Sequence, residues 1–214
     1  MELQHLEVLL PAVPADGFDP AEAIPVFHAW VRTQGQGQPP AGLLIDVADY
    51  RHVPGGPGVL LIGHEADYAL ASLPPLLGAE GAEGADEATR AAPALGLRYQ
   101  RKAALPGSNA ERLAQALGAV VGAAGRLAAE PALAGRLRFH GNGLRVTVND
   151  RLLAPNTPAS AERLLPELRA WFAALLGHAA FRLEPEREPR RRFAVTLHSE
   201  RPVPLEALRA GLDA

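Results

Sequence analysis

Short apolar runs of strand length come in groups along this chain, joined by turns rather than by helices. That spacing constrains the fold more than any other feature. LLIDVAD (43–49) and VLLIGHEADYAL (59–70) are separated only by YRHVPGGPG, whose glycines and prolines make a turn. GLRYQRK (96–102) is expected to pair with the second run, and AFRLEPE with RRRFAVTLHSE. RLRFHGNGLRVTVND (136–150) reads as a hairpin, because Gly141-Asn142-Gly143 supplies positive φ between two alternating segments. LEVLL (6–10) is a strand bounded by Pro11. Strands connected this tightly run antiparallel, since parallel neighbours need a long crossover.

Three amphipathic helices interrupt these groups irregularly. Asp19, Pro20 and Glu22 form a start signal, followed by a stripe of Ile24, Phe27, Trp30 and Val31 that should stop at Gly35 and Gly37. Ser108 and Glu111 open a second helix, rich in small residues. Its Gly118, Gly122 and Gly125 are expected to mark close approach to a neighbouring element, since each costs about 1 kcal/mol against alanine. Thr157 and Pro158 open the third, whose stripe of Leu164, Leu165, Leu168, Trp171, Phe172, Leu175 and Leu176 is broad enough to bury against a sheet. The last residues read as a short helix.

The expected fold is therefore α+β: a mixed, largely antiparallel sheet with three amphipathic helices packed mainly on one face. No linker divides the chain, so residues 1–214 form a single domain, with a mobile Gly/Ala/Glu-rich loop at about 78–94. The order strand, helix, strand, loop, strand near the N-terminus recurs from about 144 to 198, without matching residue identities.

Composition narrows the function classes. A net charge of -3 advertises neither a nucleic acid nor an anionic membrane. The absence of cysteine removes disulfides, thiolate metal sites and cysteine nucleophiles. No secretion leader opens the sequence, and no apolar run reaches membrane-spanning length. Lys102 is the only lysine, a bias that fits a GC-rich bacterial coding sequence, and a cytoplasmic protein is expected.

Chemistry-bearing residues concentrate at 46–65. Asp46, Asp49, His52 and His64 are donor types that suit a divalent metal, and Asp49, His52, His64 and Glu65 are the candidates for acid–base work. The spacing matches no zinc pattern, and VPGGPG feeds a strand rather than the helix a phosphate loop requires. Asp49 beside Gly and Pro, with Arg51 as ion-pair partner, equally describes a polar corner that fixes a strand connection. A second polar set, Asn149, Asp150, Arg151 and Asn156, surrounds LLAP. With Asp46 and Arg51 it supplies the candidate binding residues.

The reading that follows is a non-catalytic binding or accessory protein for a partner protein or a small ligand, possessing no cofactor and able to form homo-oligomers. The alternative is a metal-assisted hydrolase or related enzyme using Asp46, Asp49, His52, His64 and Glu65.

Overall fold

The computed structural model describes residues 1–34, 42–54, 56–72, 95–133 and 135–214. The loop expected at 78–94 and the helix stop at Gly35 and Gly37 lie outside the described residues.

The polypeptide opens with β1 (Leu6–Pro14), a short 3-10 turn (Pro20–Glu22) and α1 (Ala23–Thr33). It continues through β2 (Leu44–Asp49), β3 (Val59–Gly63), β4 (Ala66–Ser72), β5 (Leu95–Arg101) and α2 (Asn109–Ala129). The remainder is β6 (Leu137–Phe139), β7 (Arg145–Val148), α3 (Pro158–Leu176), β8 (Phe181–Pro185), β9 (Ala194–Ser199) and α4 (Leu205–Leu212). The fold is α+β as expected, but the described residues hold four helices, not three: the C-terminal segment buries Leu205 and Leu208 and is a full member of the core.

The nine strands among the described residues join one antiparallel sheet in the order β2-β3-β4-β5-β1-β7-β9-β8, with β6 also paired to β1. The two halves run in a similar outline. From the central strand β1 the chain passes through α1 to the edge strand β2, then returns by β3, β4 and β5 to lie beside β1 and enters α2. From β7 it passes through α3 to the opposite edge, β8, returns by β9 and enters α4. The two routes agree in outline only, since a single strand, β9, returns in the second where β3, β4 and β5 return in the first.

Two rows of side chains show how the register sorts the faces. Val47, Leu61, Tyr68, Tyr99, Val8, Val146 and Val195 stand opposite one another on successive strands and belong to the apolar core or pack against it. One residue along, the row reads Ala48, Leu60, Ala69, Arg98, Leu9, Arg145, Thr196 and Glu184. A one-residue slip would exchange these rows, so burial of the first fixes the pairing.

Three sequence expectations are revised by long-range pairing. The run 59–70 is two strands, because Gly63 and Ala66 flank a two-residue turn made by His64 and Glu65. A Cβ on Gly63 would stand 2.4 Å from the Ala66 carbonyl oxygen, so only glycine fits there. The segments 137–139 and 145–148 do not pair with each other; both pair with β1, and residues 140–144 loop out between them. The glycines serve that excursion: Gly141 and Gly143 donate to the carbonyls of Val203 and Leu197, tying it to β9 and the approach to α4. Finally, β1 runs through Pro11. The Pro11 carbonyl accepts from His140, so its missing N–H faces the looped-out segment, where the ladder is already interrupted.

The predicted caps are in place. Asp19 and Glu22 form a capping box on the 3-10 turn, Ser108 and Glu111 on α2, and Thr157 caps α3. Only one of the α2 glycines meets the expected close neighbour: Gly125 lies under Arg209 of α4, whereas a Cβ on Gly118 or Gly122 would meet nothing within 4 Å. Gly122→Ala is therefore expected to raise stability by about 1 kcal/mol, read as a higher midpoint in urea at unchanged slope.

Candidate functional site

The polar stretch 46–65 divides between the two ends of β3. Asp49, Arg51 and His52 stand at the β2–β3 turn, while His64 and Glu65 form the β3–β4 turn, with the five residues of β3, about 15 Å of strand, between them. The structure therefore brings Asp49 to Arg51 but does not bring His52 to His64. Asp46 stands between the two ends, on the face opposite Val47.

At the first end, the Arg51 guanidinium donates to Asp49 through Nε (2.9 Å) and Nη2 (2.8 Å) and to Asp19 through Nη1 (2.7 Å). The Arg51 amide also donates to Asp49, as expected of Asp beside a Gly/Pro turn. These hydrogen bonds, with the positive charges of Arg51 and His52, hold the Asp49 carboxyl down to about 2. Asp49 is thus ionised and fully engaged at neutral pH, and the bond to Asp19 ties the turn to the helix start. His52 is exposed and its ring stacks on Tyr50 at a centroid distance of 6.4 Å. At the second end His64 is exposed, while Glu65 accepts from the buried Arg101 at 2.9 Å. Neighbouring Asp67 accepts from Lys102 at 2.7 Å. No group of three or more His, Asp or Glu side chains able to hold a metal ion occurs among the described residues.

The second set holds a loop. Asp150 accepts from the amides of Leu152 and Leu153, Asn156 donates to the Glu188 carbonyl, Arg151 donates to the Arg190 carbonyl, and Asn149 accepts from Arg192 at 2.6 Å. Ala154 is fully buried beneath the loop. These side chains clasp residues 149–157 onto the β8–β9 turn, and what they present outward is Leu152, which is 95% exposed.

Sequence reasoning passed over two arginines. Arg101 and Arg112 are buried, and both line a cavity beside Gln4, His5 and Gln115 with room for about one water molecule. Arg101 donates to the Ala103 carbonyl and Glu65; Arg112 donates to the Leu105 carbonyl and Asn109. Their signal was legible: alternation puts Arg101 on the face of Leu97 and Tyr99, and helical spacing puts Arg112 with Leu113 and Ala116.

The β2 edge carries the other departure from an ordinary surface. Leu43 (59%), Ile45 (52%), Tyr50 and Val53 are exposed along this strand and its turn. A bulge between Leu44 and Asp46 accounts for Ile45, since the extra residue lets Leu44 reach the core and turns Ile45 outward. The backbone of the same edge is blunted. Gln34 donates to the Leu44 carbonyl and accepts from its amide, and Asp46 accepts from the Val47 amide. Two amides of β2 are thus taken up by side chains and withdrawn from pairing with a further strand.

Compared with protein families, curated proteins and solved structures, the chain matches none. No helix among the described residues is long and apolar enough to cross a membrane.

Proposed function

We propose that this chain is a non-catalytic binding protein that docks a partner protein through the β2 edge, with its four helices gathered on one face of the sheet. The observation that carries this reading is the exposure of apolar side chains at both ends of β2, Leu43 and Ile45 at its start and Tyr50 and Val53 in the turn that follows it. Burying such side chains is worth about 25 cal/mol per Å², a driving force the free protein leaves unused. The ionisable groups beside these side chains support the same reading, because Arg51 is committed to both Asp49 and Asp19. Docking by side chains fits an edge on which the Leu44 and Val47 amides are already capped.

The test compares the wild type with Leu43→Asp/Ile45→Asp/Tyr50→Asp in affinity capture followed by mass spectrometry. The variant is expected to fold with an unchanged melting temperature and to lose partners that the wild type retains. Elemental analysis and a chelation thermal shift address the alternative. Stoichiometric divalent metal that is lost in His64→Ala, with destabilisation by chelator, would replace this reading by the metal-assisted hydrolase using Asp46, Asp49, His52, His64 and Glu65.

A further inference from the structure

We propose that the partner of the β2 edge is a second copy of this chain, which presents its Leu152 loop to it head to tail. The inference rests on the reading of β2 as a docking edge and names what covers it. Apart from Val13 at the end of the central strand β1, the exposed large apolar side chains of the described surface fall in two places, at opposite ends of the sheet order. One is β2 and its turn, with Leu43, Ile45, Tyr50 and Val53; the other is Leu152, with Leu153 at 39% exposure, on the loop clasped to the turn behind the edge strand β8.

Their charges are complementary. Asp19, Asp46 and Asp49 against Arg51 leave the β2 side with two negative charges. Around Leu152, the segments 149–157 and 186–192 with their direct ion-pair partners carry Arg145, Arg151, Arg187, Arg190, Arg191 and Arg192 against Glu7, Asp150, Glu184, Glu186 and Glu188, leaving one positive charge. Opposite potentials around apolar centres steer encounter and fix orientation. The Leu152 loop is also prepared in advance, because Asp150 accepts from the Leu152 and Leu153 amides within it while Arg151 and Asn156 donate to the carbonyls of Arg190 and Glu188 on the body. A side chain displayed on a braced loop loses little conformational freedom on docking. Because two different surfaces meet, the contact is heterologous and generates a ring or an open chain of copies, not a closed two-fold dimer.

The experiment is sedimentation velocity on the full chain at concentrations up to about 500 µM, in about 50 mM and about 500 mM salt. The wild type is expected to show a mass that rises with concentration and a dissociation constant that weakens several-fold at the higher salt. Leu152→Asp and Ile45→Asp are each expected to weaken association at least tenfold at unchanged melting temperature. Each retains one intact surface, so an equimolar mixture of the two variants should restore a species of two copies and nothing larger. Arg190→Glu, a charge reversal on an exposed side chain, repeats the test without touching the apolar contact. A wild type that stays monomeric, association indifferent to salt, or loss on only one of the two surfaces overturns the proposal. A monomeric wild type whose β2 variant still loses a different captured protein overturns self-association alone and leaves the docking edge standing.

Discussion

Trp30→Ala should destabilise the protein by about 3–5 kcal/mol, measured as a fall in the urea midpoint. Trp30 is 1% exposed on the buried face of α1, with the Phe27 ring 5.5 Å away. Truncation removes its contacts and leaves a void that the surrounding helix and strands fill only in part. The side chain also links distant segments. Its Nε1 donates to Glu130 at 2.7 Å, and the Arg126 guanidinium lies 4.2 Å from the ring, so one indole joins α1 to the C-terminal end of α2. Trp30→Phe, which keeps most of the volume and loses the hydrogen bond, is expected to cost about 1–2 kcal/mol, because the Glu130 carboxylate can still reach water. Equal losses in the two variants would show that the polar link, not the packing, carries the residue.

Arg145→Ala is expected to cost about 3 kcal/mol, the low end for breaking a buried ion pair, because Arg145 itself is a quarter exposed. Its partner Glu186 has a side chain only 1% exposed, accepts from Arg145 at 2.6 Å and from the Glu188 amide at 3.0 Å, and lies 3.6 Å from Arg191. Burial alone raises the Glu186 pKa; the Glu188 amide and the two guanidiniums outweigh it and hold the carboxyl below its ordinary value. The sign for stability follows. A carboxyl with a depressed folded pKa contributes stability that is complete above the unfolded value of about 4.3 and is lost as pH falls through the folded value. Glu186→Gln should therefore be less stable than the wild type at pH 7 and lose less on acidification below about pH 4.3, so the two stability curves converge. Parallel curves would remove Glu186 from the acid response. The same pair holds the base of the turn against which the Leu152 loop is clasped. Arg145→Ala is for that reason also expected to weaken association in the sedimentation experiment, although it touches neither docking surface.

The polar corner at 46–65 was partly visible in advance. The Asp49 turn and its pairing with Arg51 follow from residues two positions apart, as does the Asp150 turn at Leu152. Nothing local pointed to Asp19 as the second partner of Arg51, 32 residues away, or to Arg101 as the partner of Glu65. The same division holds for the scaffold. Caps at Asp19, Ser108 and Thr157, the apolar stripes of the helices and the alternation of Leu144, Val146 and Val148 depend on neighbours within four positions, and the sequence determined them by itself. Tertiary structure alone decided that β6 and β7 flank β1 instead of each other, that Pro11 sits within a central strand at no hydrogen-bonding loss, and that Ile45 and Leu152 face water. Alternation states that a segment has two faces. Which strand it lies beside, and which face is covered, depends on chain entropy and burial balanced over the whole sheet, and no window of sequence contains that balance.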